Sequence, residues 1–312
     1  MKILVTGSAS RLGRVLLPRL LREPGVEVTG VDRRPADFHH PRYREHRLDV
    51  RDPRLAPLVA EHDALVHLAF VVMRSQLGRR AYDRDLVRAI NVDGSLQVLE
   101  AAGRAGLEAA VFLSSASVYG AWPDNPPRLT EDAPLRGIPG FAYAEDKVAV
   151  ERALPGLAAT HPRTRFVSLR PHAILGRHAQ PYLRRLLTAP VTARLPTPPP
   201  RLQCVWEDDV AEAVWAALKR PVRGPFNLAA EPPLALPELR HLAGRRGLAL
   251  PLSWLAAAQH LAWRLTPRAE DPAWMAGARY DLVLDCTRAR TELDWRPHAG
   301  PARCVRETVE GD

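Results

Sequence analysis

Strand-length apolar runs alternate with helical patterns over the first half of this chain, and a glycine turn directly follows the first run. Beyond Pro171 the alternation breaks down. Together these observations predict an α/β fold, a Rossmann-type doubly wound parallel sheet with a small C-terminal substrate lobe. Residues 1–170 are expected to form the sheet domain, with 202–229 returning to it and 171–312 supplying mostly the lobe. A chain of 312 residues is long enough for such a core.

Residues 2–6 (Lys-Ile-Leu-Val-Thr) read as a buried strand, followed by Gly7-Ser-Ala-Ser-Arg-Leu-Gly13 and an apolar helical pattern of Leu12, Val15, Leu16 and Leu20. Strand, glycine turn and helix are the context in which a dinucleotide pyrophosphate is held. Gly7 permits the tight turn, Gly13 allows close helix–strand packing, and the helix N-terminus presents backbone N–H groups to phosphate. A second strand, 26–31, ends at Asp32, whose carboxylate is placed to accept hydrogen bonds from an adenosine ribose and so favours NAD. Arg33 and Arg34 follow and suit a 2′-phosphate, so NADP stays open. After a short strand near 45–48, Asp49 and Val50 fall where an adenine amino group would be met, or where Asp49 would cap the next helix.

Residues 64–69 form a further apolar strand, and 82–104 a long helix containing Asn91. The strand 109–113 runs into Ser114-Ser-Ala-Ser-Val-Tyr-Gly120, a hydroxyl cluster at a carboxyl edge where open parallel sheets bind ligands. A Pro- and Gly-rich loop, 121–140, leads to a helix over 141–158, and 166–170 is a sixth strand. Later elements are shorter: strands at 202–205 and 225–228 and a helix at 208–218. Residues 252–265, with Leu252, Trp254, Leu255, Leu261 and Trp263, are expected as lobe core or a lid ahead of a membrane contact.

Within the helix 141–158, Tyr143 and Lys147 stand one turn apart on the same face. A phenol is a poor base at neutral pH, and a neighbouring ammonium favours its phenolate. Such a pair can exchange a proton with a substrate hydroxyl or carbonyl oxygen. Asp146 stands beside Lys147; pointing inward it would oppose the phenolate, so it is expected to face solvent.

Composition narrows the partners. The net charge of +9 is almost wholly arginine, since only three of the 44 basic residues are lysine (Lys2, Lys147, Lys219). The arginines are scattered, which argues against a nucleic-acid surface. Cys204, Cys286 and Cys304 lack metal-type spacing, and their odd number argues against a disulfide framework, so no metal is expected. No run reaches the roughly 18 apolar residues of a spanning helix, so no membrane partner is expected. The first residues open a strand and are too short for a signal peptide, which makes the cytoplasm the expected location.

Taken together, the motifs resemble those of the extended short-chain dehydrogenase/reductase family, the NAD-dependent epimerase/dehydratase group. The resemblance spans nearly the whole chain. It rests on Thr6-Gly7…Gly13, Asp32, His67-Leu-Ala69, Asn91-Val-Asp-Gly, the Ser114–Gly120 cluster, Tyr143-x-x-x-Lys147, Arg170-Pro171, Glu207-Asp-Asp-Val210, Phe226-Asn-Leu228, and Asp285-Cys-Thr-Arg-Ala-Arg290 with Leu293-Asp-Trp-Arg-Pro297. It implies that Tyr143 is the general acid/base, that Lys147 tunes it and holds the nicotinamide ribose, and that Ser115 bonds the reacting oxygen. Asn91 is implied as an organiser near the site, and 1–170 as an NAD(P)-binding domain. The cofactor contacts it implies are Gly7, Ser10, Arg11, Leu12, Gly13, Asp32, Arg33, Asp49, Val50, Leu68, Ala69, Ser114, Tyr143, Lys147, Pro171 and His172.

The activity implied is hydride transfer at a secondary alcohol or ketone of a sugar-like small molecule, with a homodimer formed through the helices 82–104 and 141–158. A plain ketone or aldehyde reductase and a non-catalytic cofactor sensor are the alternatives. Three departures stand out. Ser10 replaces the family's middle glycine, loosening the approach to pyrophosphate. Ala173 replaces an Asn that seats nucleotide-sugars, and Leu202 replaces a phosphate-binding Arg, with Arg201 adjacent. The last two count against a nucleotide-sugar. His172 is open to two readings, a substrate contact or a structural histidine.

Overall fold

The structure is a computed structural model that describes residues 1–71, 83–265 and 279–311. Its centre is a seven-stranded parallel sheet. The strands are β1 (Lys2–Thr6), β2 (Glu27–Asp32), β3 (Tyr43–Arg47), β4 (Ala64–His67), β5 (Ala109–Leu113), β6 (Arg165–Pro171) and, far along the chain, β11 (Gly224–Leu228). Their order is β11-β6-β5-β4-β1-β2-β3. Strand order reverses between β1 and β4, which opens a crevice at the carboxyl edge of those two strands.

Side chains alternate along each strand, so β1 sends Ile3 and Val5 to one face and Leu4 to the other. The first face is covered by α1 (Gly13–Leu21), through Leu16, Leu17 and Leu20, and by α7 (Glu207–Lys219), through Val210, Val214 and Ala217. The second is covered by α2 (Leu55–Ala60), α4 (Ser95–Ala105) and α5 (Ala142–Thr160), through Val59, Leu99 and Leu154. Apolar strands buried on both faces are the signature of a parallel sheet. The edge strand β3 (Tyr-Arg-Glu-His-Arg) is polar instead, as an unpaired edge requires.

The helix expected over 82–104 is three segments, and its first residue lies outside the described residues. These segments are α3 (Arg84–Arg88), a π-helical turn Ala89–Gly94, and α4. The wide turn places Asn91 inward, and Gly94 is needed there because a Cβ would lie 2.7 Å from Val50 Cγ2. Such π-turns recur where a side chain must be aimed off the helical register.

Past β6 the lobe is built from short pieces: β7 (Ala173–Leu175), α6 (Pro181–Thr188), β8 (Val191–Arg194), β9 (Arg201–Leu202), β10 (Cys204–Trp206), β12 (Leu234–Ala235), α8 (Leu236–Leu242), β13 (Leu248–Pro251) and α9 (Leu252–Leu265). Two C-terminal helices follow, α10 (Thr287–Thr291) and α11 (Pro301–Glu310). The strand expected over 202–205 divides, since β9 pairs with β12 while β10 pairs with β7. Leu175, Leu183, Leu187, Leu239, Cys304 and Val305 make the lobe's own core. Ala289, Leu293 and Trp295, in contrast, pack into the sheet domain's core.

Of the residues expected as lobe core or a lid over 252–265, the side chains of Leu252 and Trp263 lie outside the described residues. Trp254 is 67% and Leu261 58% exposed. Among the described residues α9 packs chiefly on β8 and β13.

Candidate active site

The first turn is tight. Gly7 has φ +74, and a Cβ there would lie 2.5 Å from the Ala69 backbone nitrogen, so β1 and β4 close together only over a glycine. A Cβ at Gly13 would lie 2.2 Å from the Ser8 carbonyl oxygen. Ser10 turns its hydroxyl back to accept from the Gly13 N–H at 3.1 Å, while Leu12 N–H has no partner among the described residues. The glycine cradle and this unmet helix-start donor fit a pyrophosphate. Asp32 accepts from Ala9 N–H at 3.2 Å and Arg34 N–H at 3.0 Å, one on each carboxylate oxygen. Each oxygen keeps lone-pair capacity for a ribose hydroxyl. Arg11 reaches the lobe, donating to the Ala179 carbonyl at 3.3 Å.

The adenine side is less plain. Asp49 is paired with Arg51, which holds its carboxyl below the usual range, and Val50 is buried beneath Gly94. Arg33 is exposed, and its charge also lowers Asp49. Leu68 is buried and Ala69 half-buried at the end of β4.

Ser114 is buried directly after β5, and Ser115 begins a short 3₁₀ turn with its hydroxyl accepting from Ser117 N–H. The Ser115 hydroxyl also stands beside Tyr143, which rises from the first turn of α5. One turn later, Lys147 is almost fully buried and its ammonium donates to the Leu113 carbonyl. Three rings surround that ammonium: Phe70 at 3.7 Å, Phe112 at 4.5 Å and Tyr143 at 5.9 Å to the centroid.

Burial dominates the titration of both groups. Burial raises the Tyr143 phenol, and the neighbouring Ser115 hydroxyl only partly offsets that. Burial also lowers Lys147 to about 7, against the pull of Glu151 and Asp146. The proton therefore rests on the phenol, because the ammonium is directed at Leu113 rather than at the phenolic oxygen.

Asp146 does not face solvent; it is 0% exposed. Arg84 donates to it twice, at 2.7 and 3.0 Å, Arg88 lies 3.6 Å away, and Asn91 Nδ2 donates at 3.0 Å. Two guanidinium groups offset the charge that would otherwise disfavour the phenolate. Asn91 also clasps Val71, accepting from its N–H at 2.8 Å and donating to its carbonyl at 3.0 Å. Asn91 thus fastens the strand-end segment to α5 through Asp146.

Behind Lys147, the same face of α5 carries Glu151. Arg170 Nε and Nη2 each donate to it at 2.9 Å, and Arg170 Nη1 donates to the Tyr119 hydroxyl and the Glu131 carbonyl. Tyr119 in turn donates to Asn227 at 2.7 Å. The i+4 spacing from Lys147 was the available signal for Glu151, since it extends the Tyr143 face by one more turn. Phe70 carried no such signal.

His67 is a buried connector. Ser95 gives its proton to the Asn91 carbonyl, so it accepts from His67 Nε2–H, and Thr6 donates to Nδ1 at 2.6 Å. Burial holds the ring neutral, with its pKa near 3. His172 is spent likewise: Ala173 N–H donates to Nδ1 and Nε2–H donates to the Leu282 carbonyl, with the pKa pushed to about 4 by burial. The structural reading of that ring is the one its geometry supports. Pro171 ends β6 beside it. Arg201 is paired with Asp281 at 3.2 Å, on the surface of the lobe.

A parallel sheet whose reversal point faces a serine–tyrosine–lysine trio defines a class, the dinucleotide-dependent oxidoreductases of extended short-chain dehydrogenase type. Comparison with known proteins narrows this. Residues 3–229 match the NAD dependent epimerase/dehydratase family, and the chain belongs to it. An uncharacterised protein of Mycobacterium tuberculosis is 28% identical over 309 residues, covering 95% of this chain and 80% of its own. UDP-glucose 4-epimerase of Mycolicibacterium smegmatis is 28% identical over 341 residues, covering 99% and 98%. Among solved structures, UDP-glucose 4-epimerase of Thermotoga maritima with UDP-glucose matches at TM-score 0.76 and 21% identity, over 99% and 98% of the two chains. That of Thermus thermophilus with NAD matches at 0.75 and 24%, over 100% and 98%. These structures share the fold.

Proposed function

We propose that this protein oxidises and reduces a secondary alcohol or ketone carbon of a sugar-like small molecule, in the manner of an epimerase or dehydratase, with Tyr143 as acid/base. The observation that carries the reading is the placement of Ser115, at the carboxyl edge of β5, beside Tyr143, with Lys147 one turn on and its ammonium held at the Leu113 carbonyl. NAD, when bound, supplies the hydride acceptor and donor. Gly7, Gly13 and the Leu12 N–H would hold its pyrophosphate and Asp32 its adenosine ribose, with Ser10, Arg11, Leu68, Ala69 and Ser114 lining its course. Asp32, an acceptor at the ribose, favours NAD over NADP.

Ser115 holds the reacting oxygen. Tyr143 donates its proton to that oxygen when it is a carbonyl and takes the proton back when it is a hydroxyl. Protonated Lys147 makes the second step easier by favouring the phenolate. Asn91 and Asp146 act at one remove, by fixing the segment at Val71 to α5.

A second reading, a reductase that consumes its cofactor, is favoured by two features of the lobe. Ala173 offers no polar side chain, and Arg201 is already paired with Asp281. Reaction of purified protein with candidate sugars and ketones, followed by product analysis, separates the two. An epimerase gives a stereoisomer with no net NADH change, whereas a reductase oxidises NADH stoichiometrically. On whichever substrate turns over, Tyr143→Phe is expected to lower kcat by roughly 10²–10⁴. Wild-type turnover by that variant would remove Tyr143 from the chemistry.

A further inference from the structure

The lobe carries an apolar surface that this chemistry does not use. On α9, Trp254, Ala257, Ala258 and Leu261 follow the i, i+3, i+4, i+7 spacing of one helix face, and all four are exposed. Leu248, on the strand leading into α9, is 66% exposed. Of seven large apolar side chains exposed among the described residues, five lie between α6 and α9: Leu186, Leu242, Leu248, Trp254 and Leu261. A stripe with this spacing ordinarily seals against another element. Here it is turned outward, and patches of this kind mark interaction surfaces.

Charge on the same segments says what covers it. No Asp or Glu occurs between Glu151 and Glu207, or between Glu238 and Glu270. α6, β8, β13 and α9 therefore contain none, in a chain with 35 acidic residues. Arg194, Arg245 and Arg246 are exposed and have no carboxylate partner among the described residues. β8 and β13 pair in parallel, so Arg194 stands level with Pro251 at the start of α9. The apolar stripe thus has arginines near its N-terminal end and no negative charge on its own elements.

A second copy of this face would oppose arginine to arginine across a two-fold axis. Duplex nucleic acid, with its bases stacked inside, would meet the arginines but offers no apolar seat for Trp254 and Leu261. A bilayer interface satisfies both, with acyl chains for the stripe and phosphate headgroups for the guanidinium groups. We propose that β13 and α9 dock this protein onto an anionic lipid surface, with α9 lying in the plane of the interface. No helix among the described residues is long and apolar enough to cross a membrane, and α9, at 14 residues, would lie flat rather than span. The expectation of no membrane partner rested on spanning length and does not bear on such docking.

The test is co-sedimentation of the purified full-length protein with vesicles of phosphatidylcholine alone, or of equal parts phosphatidylcholine and phosphatidylglycerol. The protein is expected to pellet with the second and not the first. The pair Arg245→Gln with Arg246→Gln is expected to weaken binding about 10-fold or more. Trp254→Glu with Leu261→Glu should abolish it, while Trp254→Phe retains most of it. All these positions are exposed, and matching circular dichroism and melting curves confirm that the variants fold. Absence of binding to the mixed vesicles overturns the proposal, as does equal binding by the Glu variants. A dimer in lipid-free solution that the Glu variants convert to single chains assigns the face to a second copy instead. Duplex DNA that competes fully, with no effect of the Glu substitutions, assigns it to general polyanion binding; either result also overturns the proposal.

Discussion

Lys147 is buried at a cost to the fold. Its ammonium is buried among Phe70, Phe112 and Tyr143, with the Leu113 carbonyl as its hydrogen-bond acceptor, and burial brings its pKa to about 7. An unfolded chain keeps that proton up to about pH 10. Between about pH 7 and 10 the unfolded state therefore binds more protons than the folded one, so this group's contribution to stability rises with pH across that window. Below about pH 7 both states are protonated and the full burial penalty applies. Lys147→Met lacks the penalty, at the cost of one hydrogen bond and the ring contacts. It is expected to exceed the wild type in unfolding free energy by about 1–3 kcal/mol near pH 6, with the margin shrinking near pH 9.5. Urea unfolding at both pH values measures this. A margin independent of pH would show that burial of the charge is not the cause. An enzyme would keep so unfavourable a residue for its chemistry and not for its fold.

At the scale of elements, α5 is the hinge between chemistry and scaffold. Tyr143 and Lys147 face the crevice, while Glu151, on the next turn, locks the helix to β6 through Arg170. Burial pushes the Glu151 carboxyl up, but hydrogen bonds from Arg170 and Ser168 outweigh it and the net shift is downward. Removing one partner leaves a buried charge unmet, so Arg170→Met is expected to cost about 3–5 kcal/mol. The double variant with Glu151→Met is expected to cost less than the sum of the two single changes, by 1 kcal/mol or more. Denaturant unfolding of the four proteins tests this, and strict additivity would refute the coupling. The sequence made α5, its reactive face and all seven sheet strands legible, because strongly periodic apolar runs and the Tyr–Lys spacing are local signals. What stayed hidden is long-range. Asp146 looked like a surface charge until Arg84 and Arg88 arrived from 62 and 58 residues away. Asp209 was read as a family mark, but its carboxylate takes the His298 and Ala299 N–H groups, fastening the C-terminal segment. The exposure of Trp254 and Leu261 also stayed hidden, because helical spacing says which residues share a face, not whether anything covers it.

For the whole molecule, the remaining expectation is a homodimer through α4 and α5. α5 carries Ala149, Ala153 and Gly156 at i, i+4, i+7, the two alanines partly buried and the glycine exposed. Small residues in such a row let a second helix approach closely. At Gly156 an added Cβ meets nothing within 4 Å, so a large side chain fits the single chain without clash. Replacing a helical glycine also raises helix propensity by up to about 1 kcal/mol. Gly156→Trp is thus expected to leave the fold of one chain intact, or slightly more stable, while wedging apart two α5 helices that pack in close contact. Sedimentation equilibrium at micromolar concentration should give twice the chain mass for the wild type and a shift toward one chain mass for the variant. A wild type at one chain mass would exclude the dimer. A Gly156→Trp variant that stays wholly dimeric would place the contact away from this row. The outcome also bears on the lobe, since pairing through α4 and α5 uses a different surface from the exposed stripe of α9. A dimer formed in this way would carry two such stripes, and two weak membrane contacts on one particle bind far more tightly than one.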